Sequence, residues 1–268
     1  MLLMSFQCRL MTSILGTFAA VRLRGPDTIR PMTTAERAGR LAGRPGLTLG
    51  DYLIPASFAT RAPAWARDLA LVAGGVILLI LGARIAFYLP AVSLGRFYVP
   101  DNPFVPVTLQ TFGVLFTSAA LGARRGLSAT AIYLLIGALG LPVFAFERSG
   151  VEIFAAFESG RLVLGATGGY LVGFLLASAV VGALAQRGWD RRIGGSLGAM
   201  VVGTLLIYAV GLAWLALALD AALLDVLPFG LFPFVPGDLL KLLLAAGALP
   251  LGWRLAGRRA SGGSTGTV

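Results

Sequence analysis

The chain has 268 residues, 57% of them hydrophobic and only 13% charged, against about 25% charged in an ordinary globular domain, which excludes a fold clothed for water. Its formal charge of +10 is carried by arginines in the N-terminal segment and in short clusters between apolar runs, the positive-inside pattern of a membrane protein rather than the basic face of a nucleic-acid binder. Cys8 is the only cysteine and histidine is absent, so an intrachain disulfide, a cysteine-based zinc site and imidazole acid–base or metal chemistry are all excluded.

Residues 1–67 are arginine-rich and interrupted by Gly25, Pro26, Pro31, Gly43, Pro45 and Gly46. This composition predicts a cytoplasmic extension with little packed structure. The apolar stretch 10–21 is too short to span a bilayer, and Arg22 and Arg24 after it make a poor signal-peptide cleavage context. Met11 and Met32 are candidate translation starts.

Six apolar segments follow, at 69–89, 107–123, 127–143, 168–185, 193–219 and 238–253. A helix needs about 20 apolar residues to cross roughly 30 Å of hydrocarbon. The expected fold is therefore an all-α polytopic membrane protein with six transmembrane helices over 68–257, preceded by the extension 1–67 and followed by a flexible tail, 258–268. With the N-terminus inside, seventeen arginines lie on the inner side and only Arg96, Arg148 and Arg161 in outer loops. That asymmetry puts both termini in the cytoplasm of a cell whose inner (plasma) membrane holds the chain.

This topology brings the polar residues at segment ends to the outer face. Gln110 opens the second segment, and its amide must find partners as it enters the bilayer. Thr167 and Tyr170 open the fourth, in the string GATGGYLVG, where Gly165, Gly169 and Gly173 recur four apart and permit close helix contact in lipid. Tyr170 adds a flat apolar ring with a hydroxyl, suited to a cyclic ligand or to the interfacial aromatic belt. In FPFVPGDLLKLLL, residues 232–244, Asp238 falls in a first helical turn and Lys241, the only lysine in the chain, lies three residues on along the same face. The pair either serves membrane insertion or presents an acceptor and a donor to a ligand captured from outside. Lys241 is followed by Leu242, so it belongs to no P-loop, and ATP hydrolysis by that route is excluded. Small residues four apart in the first segment, Ala70 with Gly74 and Gly82 with Ala86, offer a surface to another membrane helix.

The strings VPVTLQTFGVL (105–115), ALGARRGLSATAIYLLIGALGLPVFA (120–145), GATGGYLVGF (165–174) and FPFVPGDLLKLLLAA (232–246) resemble the BioY family, the biotin-capturing S-components of energy-coupling factor transporters. The resemblance implies a six-helix membrane fold with a high-affinity vitamin pocket near the outer face. It carries to Gln110, to Thr167, Gly168, Gly169 and Tyr170, and to Asp238 and Lys241, the last two hydrogen-bonding the polar head of biotin. It also implies a transmembrane coupling subunit, met by the first helix, and separate ATPase subunits. Biotin is then cargo, with no cofactor and no catalysis. Arg161 or Arg148 is the expected partner of the biotin carboxylate, from charge and side alone. Ala166 departs from the proline usual in its motif, the loop 93–103 is longer than usual, and the extension has no counterpart. An S-component for another vitamin, a solitary carrier, an intramembrane enzyme and a membrane scaffold are the alternatives. The lack of histidine weighs against the enzyme, and the polar outer cluster against the scaffold.

Overall fold

The structure is a computed structural model that describes residues 48–53, 62–87, 92–94, 97–99 and 107–262. In chain order its helices are α1 (Leu49–Leu53), α2 (Ala64–Arg84), α3 (Gln110–Ala138), α4 (Gly168–Gln186), α5 (Ile193–Ala218), α6 (Leu223–Gly230) and α7 (Val235–Gly262). Among the described residues, four helices are long and apolar enough to cross a membrane: α2, α4, α5 and α7 up to Ala256. Their outward surfaces carry Ile77, Leu81, Leu205, Leu240, Leu243 and Leu251, an apolar exterior that fits lipid and would aggregate in water. The protein is a multi-pass membrane protein.

α3 absorbs both the second and third apolar segments. The chain reverses within it at Gly122, whose backbone (φ 82°, ψ 173°) is open to glycine and disfavoured for other residues. The arms 110–121 and 123–138 pack back to back so closely that a Cβ on Gly126 would come within 2.7 Å of the Ser118 Cα. Gln110 thereby meets Tyr133 across the hairpin. α4 and α5 cross with similar intimacy, because a Cβ on Gly173 would lie 3.0 Å from the Ile207 Cα. Between the second arm of α3 and α4, Thr130 and Ser178 satisfy each other at 2.7 Å, as buried hydroxyls in a lipid-embedded core must.

Three departures from the sequence expectation have identifiable causes. The fold is not purely helical, since two-stranded antiparallel ladders join β1 (Ala86–Phe87) to β4 (Val107–Thr108), β2 (Val92–Leu94) to β3 (Phe97–Val99), and β5 (Ala155–Glu158) to β6 (Arg161–Leu164). The last is closed by Ser159 and Gly160, both at positive φ (51° and 78°), the signature of a tight hairpin turn. The short helix α6, with Pro228 inside it, was not expected either. Finally, the end of the extension is packed: α1 buries Leu49 to 3% exposure against the far end of α7. Arg125 holds Asp51 at 2.7 Å and Asp68 at 2.6 Å, while the Tyr52 ring meets that of Trp253 edge-on at 5.4 Å. Burial works to raise the Asp51 pKa, but hydrogen bonds from Thr48 and Arg125 outweigh it and hold the carboxyl below its usual range. The rest of 1–67, except 62–67, lies outside the described residues, as does the tail from 263; residues 258–262 continue α7.

These contacts give the bundle two ends. One gathers α1, the Gly122 reversal, Arg125 and Trp253. The other gathers the starts of α3, α4 and α7 with the segment 139–167, and there the main cavity lies.

Candidate ligand-binding cavity

At the start of α7, Pro236 and Gly237 precede Asp238 in the first turn, where the exposed amides favour a negative charge. One turn on, Lys241 returns its ammonium to the Asp238 Oδ1 at 2.8 Å. Both are almost fully buried, at 6% and 9% exposure, so each depends on the other and on neighbouring hydroxyls. Lys241 Nζ also donates to Thr111 Oγ1 (3.1 Å), Thr111 donates to Asp238 Oδ1 (3.3 Å), and the Tyr208 hydroxyl donates to Asp238 Oδ2. Residues from α3, α5 and α7 thus converge on one neutral acceptor–donor pair.

This cluster forms part of the wall of a cavity whose empty space, counting its open mouth, is about 750 Å³. Phe144, Leu171, Phe174, Ile207 and Phe234 give it apolar sides. Gln110, Thr167 and Tyr170 line it too. Gln110 donates through Nε2 to the Tyr133 hydroxyl at 2.8 Å, and that hydroxyl donates to the Val143 carbonyl at 3.1 Å, so the glutamine is held in one orientation. Tyr170 donates to the Gly230 carbonyl at 2.8 Å and stands edge-on to Tyr208 with ring centres 6.4 Å apart. A rigid aromatic corner results, its ring seated over Gly211.

Five of the eight residues singled out from the sequence, Gln110, Thr167, Tyr170, Asp238 and Lys241, therefore share one cavity. Gly168 and Gly169 are not in its lining; they let α4 approach its neighbours, since a Cβ on Gly168 would lie 3.0 Å from the Phe154 Cα and one on Gly169 3.0 Å from the Val210 carbonyl. Arg161 sits exposed on β6 outside the cavity, whereas Arg148 is part of the wall. Thr111, Thr204 and Tyr208 were missed. Tyr208 carried a signal, one of only three hydroxyl side chains inside the apolar run 193–219, with Ser196 and Thr204, that must find partners in lipid. Thr111 hid behind Gln110. Among the described residues, no three His, Cys, Asp or Glu side chains gather as a metal site.

The face offered by α2 is also narrower than its spacing suggested. Ala70 and Gly74 point outward, with nothing within 4 Å of a Cβ built on Gly74. Gly82 instead packs inward, 3.1 Å from the Leu109 carbonyl, and Ala86 belongs to β1 beyond the helix.

The family model described as the BioY family matches residues 55–258. The chain belongs to the BioY family. Among curated BioY proteins, the biotin transporter BioY of Rhizobium etli is 36% identical over 188 residues, 67% of this chain and 89% of the relative. The probable biotin transporter BioY of Pyrococcus horikoshii is 34% identical over 72% of this chain and 98% of its own length, and the biotin transporter BioY of Thermotoga maritima is 38% identical over 55% and 80%. The crystal structure of the S-component for biotin from an ECF-type ABC transporter superposes with a TM-score of 0.56 at 24% identity, covering 69% of this chain and 90% of that one, which shows a shared fold. The BioY match contains the whole cavity and begins after α1.

Proposed function

We propose that this chain is the biotin-binding S-component of an ECF-type transporter, capturing biotin from outside the cell and handing its energisation to a coupling subunit and ATPases on other chains. The observation that carries this reading is the buried Asp238–Lys241 pair set in the wall of an apolar cavity, in a chain of the BioY family. The ureido ring of biotin offers two N–H donors and one carbonyl oxygen. Asp238 accepts from the N–H groups, Lys241 and Thr111 supply donors to the oxygen, and Gln110 borders the ring. Tyr170, Phe174 and Ile207 cover the apolar bicycle, and Thr167 lines the cavity beside them. Arg148, rather than Arg161, meets the carboxylate, because only Arg148 lines the cavity.

In this reading the two arms of α3 count as two passes, giving six with α2, α4, α5 and α7. The arginine-rich end faces the cytoplasm and the cavity faces outward across the plasma membrane. The outward face of Ala70 and Gly74 meets the coupling subunit, and no reaction is catalysed.

Equilibrium binding of labelled biotin to the purified full chain, challenged by unlabelled biotin, thiamine and riboflavin, tests the proposal. Displacement by biotin alone is expected. Displacement by a different vitamin would reassign the ligand, and recovery of chemically altered biotin would make the protein an enzyme.

A further inference from the structure

Among the described residues, the cavity shares parts of its wall with two neighbouring pockets. On one side, Thr111, Thr204, Asp238 and Lys241 are shared with a small recess of about 200 Å³ that runs on between α3, α5 and α7 towards Leu115 and Met200. On another, Arg148, Ile153 and Thr167 are shared with a vestibule of about 630 Å³ whose further wall is Ser149, Glu152, Gly165 and Ala166. These shared walls give the cavity a direction. Its acceptor–donor pair marks the inner end, and Arg148 marks the end whose wall it shares with the vestibule.

Building on the proposed function, we infer that this chain also binds biotin joined through an amide to an amino acid, with biotinyl-lysine as the simplest case. A ligand with its ureido ring at Asp238 and Lys241 directs its carboxyl end towards Arg148. At a closed site an amide substituent there would collide with the wall. Here it passes into the vestibule, which has both volume and charge to receive it. Glu152, which belongs to the vestibule and not to the main cavity, suits the α-ammonium of the lysine moiety. Arg148, at the junction, suits its α-carboxylate. The two charges of the amino-acid end thus meet two charges of opposite sign, while the ring contacts stay as for biotin. Such amides arise wherever biotinylated protein is degraded, so the reaction class supplying this ligand is proteolysis.

The test is competition against labelled biotin on the full-length purified protein, using biotin, biotinamide and biotinyl-lysine, with wild type and the variants Ser149→Trp and Glu152→Arg. Exposed charge contacts contribute little, so biotinyl-lysine is expected to compete within about tenfold of biotin. Ser149→Trp, which fills the vestibule, is expected to weaken biotinyl-lysine by at least about tenfold and leave biotin unchanged. Glu152→Arg should discriminate against biotinyl-lysine relative to the uncharged biotinamide, which guards against a misfolded tryptophan variant. Biotin binding without competition from biotinyl-lysine at about a thousandfold excess overturns the inference and leaves the transporter reading intact. Equal effects of both variants on all three ligands also overturn it. Loss of biotin binding by the wild type strikes the underlying reading instead.

Discussion

Replacing Lys241 with Met leaves Asp238 buried, with Thr111 and Tyr208 still donating but its counter-charge gone. Replacing Asp238 with Asn leaves an ammonium that is 9% exposed with only neutral acceptors, the Thr111 hydroxyl and the amide oxygen, and no counter-charge. Hydrogen bonds to charged groups contribute about 1.5–3 kcal/mol, so each variant should weaken biotin binding by roughly ten- to a hundredfold. Breaking a buried ion pair also costs about 3–5 kcal/mol of stability, so affinity has to be measured per folded molecule, after size-exclusion in detergent and at matched thermal margin. Thr111→Val and Tyr208→Phe remove neutral donors and should cost less, about 1 kcal/mol or roughly fivefold. The double variant Asp238→Asn with Lys241→Met separates the two roles of the pair. If the pair serves insertion alone, the double variant regains stability and all variants bind normally. If it holds the ureido ring, stability is regained but binding is not. Dissociation constants near wild type for both single variants would falsify the assignment.

Other consequences are quicker to check. Gly169→Leu should abolish or strongly destabilise the folded protein, because even a Cβ there would collide with the Trp214 side chain on α5 and come within 3.0 Å of the Val210 carbonyl, and overpacking costs about 1–3 kcal/mol or more; a melting temperature like wild type would contradict the α4–α5 crossing. Asp51 has a depressed pKa, so its stabilisation is fully present above its unfolded value of 3.8 and is lost as pH falls through the lower folded value. Asp51→Asn should therefore lower the melting temperature at neutral pH, with the gap closing only below about pH 4. In a Cys8→Ser background, cysteines at Ser93 and Ser149 should react with an impermeant reagent outside intact cells and one at Ser264 should not; labelling at Ser264 alone would invert the topology. Gly74→Phe should reduce co-purification with a coupling subunit without changing biotin affinity, and unchanged assembly would move the interface elsewhere.

What the sequence made legible was whatever depends on composition and short spacing. Lipid tolerates few charges, so Asp238 and Lys241 stood out in an apolar run, and their three-residue separation already placed them on one helical face. The helix positions followed from apolar length, because a spanning segment must satisfy its backbone internally. What stayed hidden depends on tertiary meeting. Tyr208 and Thr111 reach Asp238 from 30 and 127 residues away, and no local pattern records such a distance. Gly82 and Ala86 had the right spacing for an exposed face but the wrong rotation and the wrong element. The packing of α1 was masked by the composition of its surroundings. Only five residues form the helix, and its hold comes from Arg125 and Trp253, far along the chain.

The polar cluster shows how a buried charge pair is held in the wall of an apolar cavity. Within the protein, Lys241 makes two hydrogen bonds and Asp238 three, drawn from three different helices. Neither charge is stranded, so these bonds offset the desolvation cost of burying the pair. A ligand therefore gains affinity by adding to or exchanging these bonds, and not by rescuing an unsatisfied ion. The polar share of its binding energy stays moderate, and the apolar walls formed by Phe144, Phe174 and Phe234 must supply much of the rest. That division favours release as well as capture.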